Sequence, residues 1–299
     1  MNKGILAGVG AYTLWGLFPI YWKILEQDPA IEILAHRMVW SLVFVAILLT
    51  LQKDWRWLGG VLRNRRTALV YTLAAILLAI NWFTYIWAVN AGYVVEASLG
   101  YFINPLINFL LGVIFLGEKL RGGQVAAVAF AVLGVVYLTV SYGSLPWISL
   151  LLAFTFGLYG LIKKTAQLES MHGFSLETMV LFLPALGYLL YRQTAGVGAF
   201  LYQGTITTLL LILAGPITSI PLLLFGYSAR RVPLSMLGFI QYIAPTLQFM
   251  LGVFVYHEPF PLSRLVGFSI IWLALLIYTM ESVVNNRKPK LKTSLIEPL

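Results

Sequence analysis

Ionisable side chains at helical spacing are the first chemistry that the sequence offers. Glu32 and His36 lie four residues apart, followed by Arg37, in an otherwise apolar stretch. On a helix, this spacing places the carboxylate and the imidazole on one face, where they can exchange a proton near neutral pH. Glu177 lies in another apolar stretch. We predict that these four residues carry and exchange protons. The alternatives are an ion pair that neutralises Arg37, provided by Glu32 or by a neighbouring helix, and a helix-start role for Glu177.

Amides and phenols at helical spacing form a second set of candidates. Tyr101, Asn104 and Asn108 share one helix face, and in lipid such groups must face protein or water. We expect a central cavity in which they bind substrate, and aromatic rings there could stack on an aromatic or cationic ligand. Hydrogen bonds between helices are the alternative. The predicted substrate-site residues are Tyr12, Trp15, Asn81, Tyr85, Tyr101, Asn104, Asn108, Tyr159, Gln241, Tyr242 and Gln248.

Long apolar segments must position these side chains. The 299 residues are 60% hydrophobic and 10% charged, whereas soluble domains carry about 25% charged residues. A bilayer core of ~30 Å needs ~20 apolar residues per helix. The sequence therefore predicts an all-α integral membrane protein with ten transmembrane helices, at 4–23, 31–51, 69–90, 94–116, 124–142, 145–162, 174–192, 206–228, 233–256 and 262–283.

The distribution of Lys and Arg predicts how these helices are oriented. With the N-terminus inside, most of the 20 basic residues fall in cytoplasmic segments, and only Lys23, Arg192 and Arg264 fall outside. Basic residues are retained on the cytoplasmic side of a membrane. We therefore expect a multi-pass protein with both termini in the cytoplasm. Most aromatic residues outside the predicted cavity are expected to face lipid or the membrane interface.

The two halves of the chain resemble each other. Residues 100–113 align with 240–253 at an offset of 140, and residues 15–18 align with 156–159 at an offset of 141. Each half holds five predicted helices, so the halves would insert in opposite directions, as in many secondary transporters. The predicted units are a five-helix repeat at 1–142, its inverted copy at 143–284, and a basic tail at 285–299.

Two pairs of repeat-related residues have predicted roles. Pro105 and Pro245 are expected to act as hinges, because proline removes a backbone donor and kinks a helix; a static bend is the alternative. Glu118 and Glu258 are expected to bond loop amides at the start of the next segment.

Several classes of activity are disfavoured. The chain has no cysteine, and its three histidines are far apart, so thiol chemistry and a histidine metal cluster are not expected. A phosphate-binding GxxxxGK[ST] motif is missing from the sequence, and aspartate occurs only at Asp28 and Asp54. We predict no cofactor, no metal, no nucleic acid and no enzymatic activity; an enzyme acting on lipid remains a minor alternative.

Four motifs resemble a known family. EILAHR at 32–37, EASLGYFINPLIN at 96–108, FLGE at 115–118 and GFIQYIAPTL at 238–247 are similar to signatures of the RarD family. This family is a branch of the EamA group in the drug/metabolite transporter superfamily. The resemblance spans about Gly4 to Glu281.

The resemblance implies a ten-helix permease of small metabolites or drugs in the bacterial plasma membrane. Members of the superfamily are mostly exporters and are often coupled to protons. The branch takes its name from a link to chloramphenicol sensitivity. The expected partners are a small-molecule substrate and the lipid bilayer. An uncoupled facilitator and a non-transporting sensor or assembly protein are alternatives. Substrate identity, direction, coupling ion and oligomeric state are left open, with a monomer as one option.

Overall fold

Helices account for nearly all of the chain that the structure describes. The computed structural model describes residues 3–117, 122–229, 231–232 and 240–287. Eleven α-helices lie within those ranges: α1 (Lys3–Ile24), α2 (Ala30–Leu51), α3 (Arg56–Arg63), α4 (Arg65–Asn90), α5 (Val94–Leu116), α6 (Gly122–Tyr142), α7 (Trp147–Thr165), α8 (Ser170–Thr194), α9 (Thr205–Ala229), α10 (Ile243–Met250) and α11 (Leu262–Arg287).

The lengths of these helices confirm an all-helical membrane protein. Eight are long and apolar enough to cross a bilayer, and two shorter apolar helices cover Trp147–Lys163 and Ile243–Val255. The ninth predicted segment, 233–256, is only partly described, because 233–239 lies outside the described residues. Glu118, Arg230 and most of the predicted tail also lie outside them. The remaining helix, α3, is a short element in the longest predicted loop.

The helix junctions form two groups, one at each end of the bundle. We call one group the Glu258 end; it consists of residues 25–29, 91–93, 143–146, 195–204 and 256–261. The other group, the Asp54 end, includes 52–64 and 166–169. Side chains join segments within each group. The backbone N–H of Val94 donates to Oε1 of Glu258 at 2.6 Å, and Nε2 of His172 lies 2.7 Å from Oδ2 of Asp54.

Several helix crossings depend on glycine, among them α1 with α10 and α7 with α5. A Cβ at Gly16 in α1 would lie 2.8 Å from Cβ of Leu247 in α10, and one at Gly157 in α7 would lie 2.8 Å from Cγ2 of Ile107 in α5. Contacts this short are incompatible with a side chain, so only glycine lets these helices approach so closely. Elsewhere, α6 packs along α11, and α2 packs against both α8 and α9.

The α10 segment is irregular at both ends. Gln241 and Tyr242 form a turn before it, so Pro245 lies in the first turn of a helix rather than in the middle of a continuous one. At its other end α10 continues into a π-helical turn, Leu251–Val255, and the backbone N–H of Tyr256 donates to the carbonyl of Leu251 at 2.8 Å. Pro105, by contrast, lies inside the long helix α5.

Candidate functional site

Arg37 is a buried cation held among aromatic rings. Its side chain lies in α2 and is 1% exposed. The guanidinium carbon is 3.6 Å from the ring centre of Trp82 in α4, and 5.2 Å and 5.6 Å from those of Trp22 and Phe18 in α1. Its Nε donates to Oγ1 of Thr218 in α9 at 2.7 Å. An ionised group at mid-membrane costs at least ~2.5 kcal/mol, and contacts with ring faces offset part of this cost.

Polar atoms around Arg37 lack hydrogen-bond partners. Among the described residues, Nη1 of Arg37, both ring nitrogens of His36 and the hydroxyl of Tyr85 are buried without one. The His36 ring packs against Phe200, with ring centres 5.2 Å apart. Tyr85 lies one helix turn after Trp82 in α4, and its ring contacts that of Tyr101, with ring centres 5.6 Å apart. Since buried polar groups are normally paired, this junction of α1, α2, α4 and α9 has unused capacity to bind a polar ligand.

Glu32 pairs with Arg192, so an ion pair between Glu32 and Arg37 was wrong. Oε2 of Glu32 accepts from Nε of Arg192 at 3.0 Å and lies 2.9 Å from its Nη2. Oε1 accepts from the backbone N–H of Ala199 at 2.6 Å. Glu32 and Arg37 are five residues apart, which on a helix directs them to different faces. The carboxylate therefore joins the start of α2 to the end of α8.

Glu177 also has a cationic partner. Nζ of Lys163 lies 2.8 Å from its Oε1, and the Tyr159 hydroxyl donates to its Oε2 at 3.1 Å. Glu177 is 1% exposed. Lys163 comes from the last turns of the preceding helix, α7, so the residues around Glu177 in the sequence gave no sign of this pair.

Two predicted amide side chains bond to α7. Nδ2 of Asn81 donates to the carbonyl of Leu152 at 3.0 Å and to Oγ1 of Thr155 at 2.9 Å. Nδ2 of Asn104 donates to the carbonyl of Ala153 at 3.1 Å. These contacts are hydrogen bonds between helices, the alternative role considered for these residues.

The other amides behave in a similar way. Nε2 of Gln248 donates to the carbonyl of Trp15 at 3.1 Å, whereas its Oε1 is buried without a partner. Nδ2 of Asn108 donates to Oδ1 of Asn104 at 2.9 Å. Gln241 lies in the turn before α10.

The predicted aromatic residues form two clusters. Tyr12 and Trp15 contact each other and Phe225 of α9, with ring centres 5.2–6.0 Å apart. The second cluster continues from the Arg37 region through four rings whose neighbouring centres are 5.6–6.1 Å apart: Tyr85, Tyr101, Phe156 and Tyr159. Tyr242 joins neither cluster and stacks on Phe102, at 6.4 Å.

A groove of about 240 Å³ opens at the Glu258 end. Glu96, Trp147 and Arg264 are among its lining residues. None of the predicted substrate-site residues lines this groove, whereas Asn81, Asn104, Tyr85 and Gln248 are buried in the packed interior.

Glu258 anchors the start of α5. Its carboxylate accepts the backbone N–H groups of Val94 at 2.6 Å and Val95 at 2.8 Å. Glu258 bonds backbone amides at the start of a segment, as predicted. That segment is α5 and not the next one in the chain, because α5 begins more than 160 residues before Glu258. Burial raises the pKa of Glu258 from its ordinary value of 4.5, and the two N–H groups partly oppose this shift.

Sequence reasoning missed several residues of this site. Trp22 and Trp82 are exceptions to the expectation that most such aromatic residues face lipid or the interface: they are 0% and 7% exposed, respectively, and both contact Arg37. Asn81, which was predicted to face the protein interior, is next to Trp82 in the sequence. This neighbour was the available indication that Trp82 packs against protein rather than lipid. Thr218 gave no signal beyond its place in an apolar helix.

Comparison with known proteins decides the family. Residues 2–140 match the EamA-like transporter family. The protein RarD of Streptomyces exfoliatus is 48% identical over 99% of this chain and 94% of its own. The chain belongs to the RarD family of EamA-like transporters. It is therefore a multi-pass membrane transporter that acts on a small substrate in a lipid bilayer, and not an enzyme.

Other relatives agree with the RarD assignment. An uncharacterized transporter of Bacillus subtilis, YojE, is 49% identical over 97% of both chains. The chloramphenicol-sensitive protein RarD of Pseudomonas aeruginosa is 30% identical over 96% of this chain and 97% of its own. A solved crystal structure shares the fold with a TM-score of 0.61 at 18% identity, covering 95% of this chain and 99% of that one.

Proposed function

We propose that this RarD-family protein exports small metabolites or drugs in exchange for protons, by alternating access between two inverted five-helix repeats, 1–142 and 143–284. Ten helices would cross the bacterial plasma membrane, with both termini in the cytoplasm. The observation that carries the proposal is the set of unpartnered polar atoms on Arg37, His36 and Tyr85, enclosed between the halves of a transporter.

The glycine crossings support the repeat. The sequence offsets relate Gly16 to Gly157 and Leu247 to Ile107. Each glycine meets the symmetry-equivalent partner at the same Cβ distance, 2.8 Å. The α1–α10 crossing therefore corresponds to the α7–α5 crossing. The self-related pairs, α6 with α11 and α2 with α8, are also in contact, as a twofold relation requires.

Proton coupling is assigned first to His36. Its imidazole has no hydrogen-bond partner, whereas Glu32 and Glu177 are held by Arg192 and Lys163. Imidazole is the side chain whose charge changes near neutral pH. His36 lies one helix turn from Glu32 and adjacent to Arg37, so rearrangement of the α2–α8 contact would change the charge around it. Glu177 is a second carrier only if it separates from Lys163.

The test begins with an unbiased comparison of metabolites inside and outside cells that contain or lack the protein. A compound that changes is then loaded into reconstituted vesicles, with chloramphenicol included because a relative bears its name. An imposed pH gradient should drive flux, and His36→Gln should uncouple flux from the gradient. Flux that ignores the gradient in the unmodified protein would establish an uncoupled facilitator. The ion pairs of Glu32 with Arg192 and of Glu177 with Lys163 favour this alternative, because a paired carboxylate is less free to carry a proton.

Basal flux serves as the control for coupling. His36→Gln should retain downhill exchange of substrate while losing acceleration by the pH gradient. Exposed His257, in the segment after α10, provides a matched His257→Gln variant that should keep both properties. Equal behaviour of the two variants would remove the role assigned to His36.

A further inference from the structure

We infer that the substrate of this transporter carries a carboxylate, and that Arg37 binds it together with the hydroxyl of Tyr85. This inference rests on the proposed function, because it assigns a substrate class to the same site. It does not depend on the direction of transport or on the coupling ion.

The charge balance at Arg37 is the first argument. Among the described residues, no Asp or Glu oxygen lies within 4.0 Å of its guanidinium, although Arg192 and Lys163 each have such a partner. Its contacts are three ring faces and one threonine hydroxyl. Ring faces stabilise a cation without neutralising it. The site therefore keeps a net positive charge that a bound anion would compensate.

Donors that no protein group uses are the second argument. Nη1 of Arg37 and the hydroxyl of Tyr85 are both buried and unpartnered. Tyr85 lies one helix turn after Trp82 in α4, and the Trp82 ring contacts the guanidinium. A carboxylate has two acceptor oxygens and can take one donor from each residue. Two unused hydrogen-bond donors and an uncompensated positive charge therefore occur at the same junction of helices.

The position of Arg37 is the third argument. Arg37 belongs to the first half of the chain, and its hydrogen-bond partner Thr218 belongs to the second. Relative movement of the halves therefore opens this contact and exposes the guanidinium, as alternating access requires of a substrate site.

One charge and nearby rings define the ligand further. A single guanidinium matches the single charge of a carboxylate, whereas a phosphate monoester carries close to two charges at neutral pH. Phe18, Trp22 and Trp82 provide apolar faces beside the charge. The ligand class that fits is a monocarboxylate with an apolar or aromatic body.

Binding in lipid nanodiscs, without any gradient, tests the assignment. The probes are benzoate and phenylacetate, with benzamide and phenylacetamide as uncharged matches and phenyl phosphate as the second anion. Tryptophan fluorescence reports binding, because Trp82 lies 3.6 Å from the guanidinium. We expect a saturable response to the carboxylates and little response to the amides. An equal response to both, a stronger response to phenyl phosphate, or no response up to about 10 mM would overturn the inference.

Substitutions test whether the fluorescence response comes from binding at Arg37. Arg37→Gln should weaken carboxylate binding at least about 30-fold. Arg37→Lys retains the charge and should bind more weakly because the planar fork is lost. Arg63→Gln, which removes an exposed positive charge from α3, is the matched control and should bind normally. Gel filtration and thermal unfolding must show a folded protein; if Arg37→Gln does not fold, Arg37→Lys and Tyr85→Phe decide.

Tyr85→Phe separates a binding role from a structural one. Its hydroxyl makes no hydrogen bond to the described protein, so its removal should leave stability unchanged or slightly higher while weakening carboxylate binding about three- to tenfold. Unchanged affinity in this variant would exclude Tyr85 from the site. Carboxylate binding without flux would overturn the proposed function alone. Flux of an identified metabolite that is insensitive to Arg37→Gln would overturn this inference alone.

Discussion

The guanidinium carbon of Arg37 lies 3.6 Å from the centre of the Trp82 ring, at the junction of helices α2 and α4. This distance is ordinary van der Waals contact between a planar cation and an indole face. Tryptophan is the aromatic side chain that best stabilises a cation in this position. The pair lets a charged side chain persist in an apolar helix without a carboxylate partner.

Trp82→Leu should destabilise the protein by about 2 kcal/mol or more, since it removes a desolvated cation–π contact. The measurement is thermal unfolding in detergent, monitored by far-ultraviolet circular dichroism. Trp147→Leu is the matched control, because Trp147 is 48% exposed whereas Trp82 is 7% exposed. Equal losses in the two variants would mean that the contact with Arg37 contributes little.

The Glu32–Arg192 pair should be strongly coupled. Arg192→Gln should cost roughly 3 kcal/mol, because it leaves the buried carboxylate of Glu32 without its partner. Glu32→Gln should cost less, because Arg192 is only half-buried and keeps its bond to the carbonyl of Val197. A double-mutant cycle on thermal unfolding measures the coupling. The more exposed pair Lys23–Glu26 is the control and should show no more than about 1 kcal/mol. Additive effects at Glu32 and Arg192 would contradict the observed pair.

Glu258→Gln should loosen the start of α5, since the carboxylate accepts two backbone N–H groups there. The expected cost is about 1 kcal/mol, as for loss of a helix N-cap. Hydrogen exchange read by mass spectrometry should show faster exchange for Val94 and Val95. Protection that is unchanged in this peptide would rule out the anchoring role.

Glu258 should also make the free energy of unfolding depend on pH. Because burial raises its pKa above 4.5, the folded protein retains this proton more readily than the unfolded chain does. The contribution of Glu258 to stability should therefore be complete below pH 4.5 and should fall as the pH rises through the raised pKa. Unfolding followed across that range should show this slope in the unmodified protein, and the slope should be reduced in Glu258→Gln.

Gly157→Ala should be destabilising by about 1–3 kcal/mol, because the new methyl group would overlap Ile107 across the α5–α7 crossing. Gly187→Ala in α8 is the matched control, as nothing lies within 4 Å of its Cβ position. It should be neutral or slightly stabilising. The comparison requires only melting temperatures of the two purified variants.

The proposed orientation predicts which face each engineered thiol occupies, and the lack of native cysteine makes the labelling unambiguous. An impermeant thiol reagent should label Tyr202→Cys, at the Glu258 end, in intact cells. It should label Arg65→Cys, at the Asp54 end, only after the membrane is opened. The reverse pattern would invert the proposed topology, and labelling of both in intact cells would break the two-ended arrangement.

Much of the fold could be predicted because a bilayer imposes a length and a polarity on each helix. The predicted segment 94–116 coincides with α5, Val94–Leu116. The partners of the ionised residues could not be predicted in the same way, because Arg192 and Lys163 meet their carboxylates through helix packing rather than sequence spacing. The role of Trp82 was not predicted for a related reason: indole rings suit both the membrane interface and a buried cation, and only the neighbouring helices decide between them.

The π-helical turn at Leu251–Val255 holds one residue more than an ordinary α-helical turn would. Tightening it to ordinary helical winding would release that residue toward Tyr256 and rotate the adjoining C-terminal residues by about 100° about the helix axis. The carboxylate that caps α5 is three residues beyond this turn. A change of winding in this single turn would therefore move Glu258 away from the start of α5, while the rest of α10 keeps its contacts with α1.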